Sequence, residues 1–281
     1  MTVAAEATVL NEYSGLGISD VNALGSTVLH DCLTTELRQR GLWDDPEVRW
    51  SYLFAMDLHQ DEQRADGPYV DHLARVGLWV IRDFDVSDAE AAKAALLHDV
   101  VENHPKDIIK KLGADATHGG TIYDRAQSVL ANSGKLGRSR TNAAIDALTC
   151  PSFAGLEPAE KRRRYARHIV QVTLQDPLAA AVKIADRLDN ANGNKFNPDS
   201  KMQRRLDKKY YPLHDVFVNA VHAEDSLIPD HRKQGVTAKL DQGHEEARAR
   251  LLTSFPGVAG MSENEVAELA LGNVLDQKGV A

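Results

Sequence analysis

The chain has 281 residues, of which 43% are hydrophobic and 6% aromatic, and its 33 Lys+Arg against 41 Asp+Glu give a formal charge of −8. These values exclude a collagen-like, a disordered and a disulfide-scaffold protein, and they are typical of a globular chain with one large core or two smaller ones. The acidic surplus argues against a general nucleic-acid binder. Apolar runs such as residues 76–81 are too short for a membrane-spanning helix, which needs about 18 apolar residues, so no membrane partner is expected.

The N-terminal segment and the cysteines favour a cytoplasmic protein. Glu6 lies among small residues with no basic lead, which is not the pattern of a secretory signal peptide. Cys32 and Cys150 are far apart in the sequence and are expected to be reduced and to have no special role. A cytoplasmic location is therefore the expectation.

Apolar residues recur at helical spacing through most of the chain, and the alternation typical of strands is nearly absent. This pattern predicts an all-α fold. Prolines near helix starts and glycines near helix ends indicate several of the boundaries. The predicted helices cover residues 20–40, 46–64, 69–84, 87–103, 105–112, 121–132, 140–148, 158–175, 177–191, 199–224, 244–254 and 262–277.

His-Asp dipeptides occur three times, at residues 30–31, 98–99 and 214–215. The dipeptide alone is weak evidence for a metal site, because neighbouring residues on one helix point about 100° apart and cannot surround an ion. The first and third pairs have no partner motifs, so a structural or surface role is expected for them. The middle pair, His98-Asp99, has further candidate ligands both upstream and downstream.

Upstream of the middle pair, residues 67–72 end in a second histidine, His72, on the preceding predicted helix. Downstream, residues 183–190 carry Asp186 on a predicted helix with an apolar start. His98 and Glu102 are four positions apart, as are Asp186 and Asn190, which predicts that each pair shares a helical face. The spacing therefore indicates a metal ligand and a second functional group facing one cavity.

These motifs, in this order, resemble the HD-superfamily hydrolase domain of RelA/SpoT-type alarmone hydrolases, including the stand-alone small alarmone hydrolases. The residues that carry the resemblance are Gln63, Arg64, Pro68, Tyr69, His72, the stretch 97–102, the stretch 183–187 and Asn190. The resemblance covers about residues 46–225 and implies an HD-domain helical bundle there.

The resemblance over residues 46–225 leaves one flanking segment on each side. Residues 1–45 are expected to be an N-terminal helical segment, and residues 226–281 a linker followed by a short C-terminal helical extension. The linker is expected because residues 228–243 are polar and contain proline and glycine. The apolar stripe of the last predicted helix fits packing on its own core or on a second subunit, so a homo-oligomer is left open.

The resemblance implies a hydrolase that removes the 3′-pyrophosphate from guanosine tetra- or pentaphosphate with Mn²⁺ as cofactor. It implies that Glu102 and Asn190 position and activate the attacking water. Mixed imidazole and carboxylate ligands suit Mn²⁺, and Fe²⁺, Zn²⁺ or Ni²⁺ fit the same donors. The implied metal ligands are His72, His98, Asp99 and Asp186.

Basic residues are concentrated between positions 161 and 209, where 13 Lys/Arg and 5 Asp/Glu give a local charge of +8. The run 161–167 is expected to be a solvated helix face. The resemblance places the basic residues of the stretch 201–209 where the family binds substrate phosphates. Lysine and arginine side chains there would donate charge-assisted hydrogen bonds to phosphate oxygens. The implied substrate-binding residues are Arg64, Asn103, Lys201, Arg204, Arg205 and Tyr210.

The chain departs from the family pattern in three places. Asn103 stands where the family usually has an aspartate, Asp189 replaces a frequent histidine, and residues 113–140 look like an insertion. Two alternatives stay open, and Asn103 and the insertion make the first of them credible. One is an HD phosphohydrolase that acts on another nucleotide, such as an adenosine alarmone, the 2′-phosphate of NADPH or a simple nucleotide. The other is a nucleotide sensor without catalytic activity.

Overall fold

The computed structural model describes residues 13, 15–113, 120–137, 139–194, 200–254 and 260–271. Its regular structure in those ranges is helical apart from one short hairpin, so the predicted all-α class is confirmed. The chain divides into two compact units, residues 1–149 and 150–281. The boundaries expected from the sequence, at 45/46 and 225/226, fall inside these units and stay predictions.

The first unit contains nine described helices and a two-stranded antiparallel hairpin. A π-helical turn, Trp79–Asp83, extends the fourth helix. The hairpin strands are β1 (Gln63–Arg64) and β2 (Gly67–Pro68). The helices are α1 (Ile18–Ala23), α2 (Ser26–Gln39), α3 (Pro46–His59), α4 (Tyr69–Leu78), α5 (Ala89–Leu97), α6 (Val100–Asn103), α7 (Pro105–Leu112), α8 (Ile122–Asn132) and α9 (Arg140–Leu148).

Two predicted helices of this unit are interrupted. The helix expected over residues 20–40 breaks at Gly25, whose φ of 107° is a backbone conformation that favours glycine. The helix expected over residues 87–103 breaks at His98 and Asp99, which lie between α5 and α6. This second interruption shapes the candidate site.

The core of the first unit holds α3, α4 and α5 against the shorter helices that follow them. Its members are buried apolar side chains, and removing each from water contributes roughly 1.5–3 kcal/mol before entropy is subtracted. Because α4 carries His72 and α5 ends just before His98, this packing fixes the distance between the two histidines. The cluster includes Phe54, Ala55, Leu58, Leu73, Leu97, Val100, Val101, Ile108, Val129 and Leu130.

A partly buried carboxylate, Glu90, joins α5 to α9. Glu90 accepts hydrogen bonds from the Thr141 backbone N–H at 2.8 Å and from the Thr141 hydroxyl at 2.7 Å. Its other oxygen accepts from the ammonium of Lys93, which is 2% exposed, at 2.7 Å. Burial alone would raise the pKa of Glu90, but the hydrogen bonds from Lys93 and Thr141 lower it overall.

We expect Glu90→Gln to destabilise the first unit by about 1–3 kcal/mol at pH 7, because it weakens hydrogen bonds to a charged group. Since the pKa of Glu90 is lowered on folding, its stabilisation exists above the ordinary value of 4.5 and is lost as the pH falls through the folded value. The difference between the two proteins in urea unfolding should therefore shrink at acidic pH. Glu160→Gln is the control, because exposed ion pairs contribute little; an equal effect of both changes at pH 7 would contradict the prediction.

The second unit contains six described helices and a 3₁₀ turn, Tyr211–Leu213. The segment expected to be a linker is instead part of one 25-residue helix, which buries Val236 and Leu240. The linker prediction was wrong because buried apolar residues at helical spacing outweigh its glycines. The helices are α10 (Pro158–Gln175), α11 (Pro177–Asn194), α12 (Ser200–Tyr210), α13 (His214–His222), α14 (Asp230–Ser254) and α15 (Glu263–Leu271).

The C-terminal helix packs on its own unit. Val266 on α15 lies in a buried cluster with Tyr211, Ala247 and Leu251. The residues at 274 and 275 that were expected to continue its apolar stripe lie outside the described residues. No described helix combines the length and the hydropathy needed to cross a bilayer.

Candidate functional site

The first unit brings together three of the predicted metal ligands. His98 Nε2 lies 3.1 Å from the Asp99 carboxylate Oδ2, and His72 Nε2 lies 3.6 Å from the same oxygen. The two imidazole rings meet edge to face with centroids 5.2 Å apart. One ligand atom each from His72, His98 and Asp99 can be chosen so that the three atoms lie within 4.8 Å of one another. We call these three residues the HD cluster.

The break between α5 and α6 makes this convergence possible. Within a regular helix, His98 and Asp99 would point about 100° apart. Asp99 instead has φ −105° and ψ −6°, close to the sparsely populated bridge region in which active-site residues often lie. The spacing predicted one helical face for His98 and Glu102, but the helix is interrupted at His98 and Asp99. This break directs the side chains of His98 and Asp99 to one point.

The hydrogen bonding of His98 indicates that the HD cluster fits a cation. Its Nδ1 lies 2.8 Å from the carbonyl oxygen of Ala95, which only accepts hydrogen bonds, so Nδ1 carries a proton. In the neutral imidazole, the Nε2 lone pair then faces the Asp99 oxygen. Two electron-rich atoms at 3.1 Å favour a positive charge between or beside them. A divalent metal supplies that charge, and the backbone carbonyl orients the histidine as in other metal sites.

A short relay supports Asp99 from outside the cluster. The Tyr69 hydroxyl donates to Asp99 Oδ2 at 2.5 Å, and the Asn103 amide donates to the Tyr69 oxygen at 2.9 Å. Burial alone would raise the pKa of Asp99, but His98 and His72 in their doubly protonated form, whose charge a bound metal would replace, more than offset this and hold it well below its usual range. Burial and the neighbouring Asp99 raise the pKa of Tyr69, so its hydroxyl stays protonated and keeps donating.

We expect Tyr69→Phe to weaken metal binding by about 10–100-fold, because it removes a hydrogen bond that orients a ligand while keeping the aromatic ring. The check is the Kd for Mn²⁺ from calorimetric titration. Tyr123→Phe, which alters a partly buried tyrosine packed on the core of the same unit, is the control. Unchanged Mn²⁺ affinity in Tyr69→Phe would show that the relay does not support the cluster.

The other candidate residues of the first unit lie on exposed or partly exposed positions. Glu102 is exposed on α6. Arg64 lies on β1, with its Nε 3.4 Å from Asp66 and its guanidinium carbon 5.3 Å from the centroid of the Tyr69 ring. Arg64 and Asn103 therefore both lie beside Tyr69, which in turn contacts the HD cluster.

The second unit places Asp186 and Asn190 on one face of α11, as their spacing predicted. Asp186 accepts from the Lys183 ammonium at 2.7 Å and from the Asn190 amide at 2.5 Å. The same amide lies 3.3 Å from the hydroxyl of Tyr210. The role of Asp186 as a fourth metal ligand stays a prediction.

Further cations of the second unit surround its tyrosines. The guanidinium of Arg187 lies 5.0 Å from the Tyr210 ring centroid, and the Lys209 ammonium lies 4.1 Å from that of Tyr165. Burial alone would lower the pKa of Lys209, but Tyr165 and Tyr210 raise it overall, so this lysine stays charged. The sequence motifs include Arg187, and Lys209 lies among the cations expected to bind phosphate, but the packing of these two residues on Tyr210 and Tyr165 was not predicted.

The predicted phosphate-binding cations on α12 differ in exposure. Lys201 and Arg205 are exposed, whereas Arg204 is partly buried. Arg204 lines a cleft of about 310 Å³ together with Asp207 and Arg250. Arg250 donates two 2.9 Å hydrogen bonds to Asp207, so the acidic side chain of this cleft is already paired.

The first and third His-Asp pairs take part in local structure, in line with the expectation for them. His30 lies 2.9 Å from the hydroxyl of Tyr52 and 3.2 Å from the carboxylate of Asp71. His214 stacks on His244 with centroids 4.2 Å apart. Asp71, although next to His72, faces His30 and Ser26 rather than the HD cluster.

Comparisons with known proteins found two relatives whose names state the same activity. Guanosine-3′,5′-bis(diphosphate) 3′-pyrophosphohydrolase of Vibrio cholerae is 28% identical over 184 residues, which are 63% of this chain and 23% of that protein. Guanosine-3′,5′-bis(diphosphate) 3′-pyrophosphohydrolase MESH1 of Danio rerio is 23% identical over 185 residues, which are 64% of this chain and 87% of that protein. No protein-family model and no solved structure matched.

The chain thus spans under a quarter of the Vibrio cholerae relative and most of the Danio rerio one. Both relatives are named as hydrolases of a nucleotide pyrophosphate. The similarity supports an enzyme of the HD-type hydrolase class.

Proposed function

We propose that this protein is a metal-dependent hydrolase that removes the 3′-pyrophosphate of guanosine tetra- or pentaphosphate. The observation that carries the proposal is the HD cluster, in which ring nitrogens of two buried histidines lie 3.1 and 3.6 Å from one oxygen of the Asp99 carboxylate. A set of this kind is costly to bury without a cation. The names of the two relatives supply the substrate class. A cytoplasmic location belongs to the same proposal.

Under this proposal, His72, His98, Asp99 and Asp186 hold the metal, which is Mn²⁺. When bound, such a metal would lower the pKa of a water and neutralise charge on phosphate oxygens. Glu102 would accept a proton from the attacking water, since a general base contributes most when its carboxylate lies within hydrogen-bond reach. Asn190 would orient that water through its amide.

The cations have a separate part in the proposal. Arg64 lies against the Tyr69 ring and would contact the nucleotide near its base. Lys201, Arg204 and Arg205 on α12 would donate to phosphate oxygens, and Tyr210 would stack on a base or ribose. Asn103 would contact the substrate through an amide where the family usually offers a carboxylate.

The test is incubation of the purified protein and Mn²⁺ with guanosine tetraphosphate. Water adds to the phosphorus attached to the 3′-oxygen, the bond between them breaks, and the 3′-oxygen takes up a proton. The products are GDP and pyrophosphate, which chromatography separates. A matched reaction without added metal and with a chelator is the control. If the chain released no pyrophosphate from guanosine tetraphosphate but hydrolysed another nucleotide, the substrate assignment would be wrong.

One observation favours a second candidate within the enzyme class. Asn103 donates to Tyr69 instead of presenting a negative charge, so the surroundings of the cluster are less acidic than the family pattern implies. An adenosine alarmone, the 2′-phosphate of NADPH and simple nucleotides are therefore included in the substrate panel. A sensor without activity is the third candidate, and it predicts nucleotide binding with no product from any member of the panel.

A further inference from the structure

A second group of metal-binding side chains lies in the first unit beside the HD cluster. His59 ends α3, Glu62 lies just before β1, and His104 precedes α7. His59 Nδ1 lies 2.7 Å from Glu62 Oε2 and 3.2 Å from His104 Nε2, and His104 Nε2 lies 3.2 Å from Glu62 Oε1. We call these residues the hairpin cluster. Neither the sequence motifs nor the proposed function uses them.

We propose that the hairpin cluster binds a second divalent metal of the zinc type and thereby fixes the β1–β2 hairpin to the start of α7. Zinc bonds to histidine nitrogen at about 2.0–2.1 Å and to carboxylate oxygen at about 2.0–2.2 Å, so neighbouring donors in a tetrahedral site lie about 3.4 Å apart. The ring nitrogens His59 Nδ1 and His104 Nε2 are 3.2 Å apart, and each lies close to a different oxygen of Glu62, at 2.7 Å for His59 and 3.2 Å for His104. Only a small outward shift would let them surround an ion. Two histidines and one glutamate leave a fourth position for water.

The surroundings of His104 match those of a metal-bound histidine. Its Nδ1 lies 3.3 Å from the carboxylate of Asp107, one turn further along α7. Glu62 Oε1 lies 3.2 Å from the other ring nitrogen, Nε2. With a metal on Nε2, the proton of the ring would lie on Nδ1 and be donated to Asp107. Metal-ligating histidines characteristically have such an outer carboxylate.

His59 is held in place by its packing. Its side chain is fully buried and stacks on the Tyr69 ring, with centroids 4.5 Å apart and an interplanar angle of 9°. This packing fixes the ring so that Nδ1 points at Glu62 and His104. One donor of the hairpin cluster is therefore already oriented toward the other two.

The position of the hairpin cluster gives the second metal a structural role. Glu62 directly precedes β1, which carries Arg64, and the other two ligands belong to the ends of neighbouring helices. An ion held by all three would restrain the hairpin that places Arg64 against Tyr69. The inference goes beyond the proposed function and does not depend on which nucleotide is cleaved.

The test measures zinc bound per full-length chain after equilibrium dialysis, by inductively coupled plasma mass spectrometry. Relative to the wild type, we expect His104→Gln to lose one equivalent and Asp99→Ala to lose a different one, so that the double variant loses two. His222→Gln is the matched control, because His222 is an exposed histidine that contacts Thr237 and belongs to neither cluster. Glu62→Gln provides a second variant of the same site if His104→Gln fails to fold by circular dichroism.

Two results would overturn the inference: His104→Gln and Glu62→Gln keeping all the zinc of the wild type, or His222→Gln losing as much as they do. The second result would mean an adventitious ion only. Because the experiment measures bound zinc and not the rate of hydrolysis, its outcome is separate from the proposed function. A chain that hydrolyses no nucleotide but loses one equivalent in His104→Gln would support the second site alone.

A second readout tests the role of the hairpin. Amide hydrogen exchange in residues 60–68 should slow when zinc is added to the wild type and to Asp99→Ala, and should not change in His104→Gln. If zinc slowed exchange equally in all three proteins, the ion would not act through the hairpin cluster.

Discussion

Asp99→Ala is expected to abolish Mn²⁺ binding and nucleotide hydrolysis together. Asp99 contributes the oxygen that both His72 and His98 face, and its charge balances that of the cation. A metal in a hydrolase contributes several kcal/mol to the reaction, and each 1.36 kcal/mol is a factor of ten in rate. The loss in kcat/KM should therefore be at least about 100-fold, and calorimetric titration should show no Mn²⁺ binding with the affinity of the wild type.

The comparison for Asp99 is Asp31→Ala, which alters the aspartate of the His-Asp pair with no partner motifs. It should leave both Mn²⁺ affinity and activity within about twofold of the wild type, because substitutions away from a site change little. Activity retained in Asp99→Ala would contradict the assignment of the HD cluster as the metal site. Circular dichroism checks that the variant remains helical.

Glu102→Gln is expected to lose activity while it retains the metal. The substitution keeps the size of the side chain but removes its ability to take a proton at neutral pH. General base catalysis typically contributes 10²–10⁴-fold, so kcat should fall by about that factor while the Kd for Mn²⁺ stays unchanged. Because Glu102 is exposed on α6, the fold should not be affected.

Glu224→Gln, a change at an exposed glutamate of the second unit, is the control for Glu102. It should have the activity and the Mn²⁺ affinity of the wild type. Turnover at the wild-type rate in Glu102→Gln would rule out its role as base, and loss of the metal would instead place Glu102 among the ligands. The split between kcat and metal affinity thus distinguishes a base from a ligand.

The helical class and most helix positions could be predicted because apolar spacing reports which face of each segment is buried. The prediction failed where the local sequence favours one structure and tertiary packing stabilises another. Residues 228–243 have the composition of a linker, yet Val236 and Leu240 are buried on α14. The break at His98 and Asp99 was not visible either, since the surrounding apolar residues keep helical spacing on both sides of it.

The candidate site, too, was predicted only in part. The resemblance to HD hydrolases implied His72, His98 and Asp99 as metal ligands, and the structure brings their side chains together. Tyr69 was predicted only as part of a motif, whereas its contacts make it the link between Asp99, Asn103 and His59. The hairpin cluster was missed because its residues show no regular spacing.

The sequence by itself therefore determined the all-α class, because that class depends on local periodicity, while the motifs that carry the resemblance supplied the predicted metal ligands. Only the tertiary structure decided which side chains face one another. A backbone break directs His98 and Asp99 to one point, and the packing of helix ends brings His59, Glu62 and His104 within 3.2 Å. Such convergence depends on the path of the chain between elements, which residue spacing does not encode.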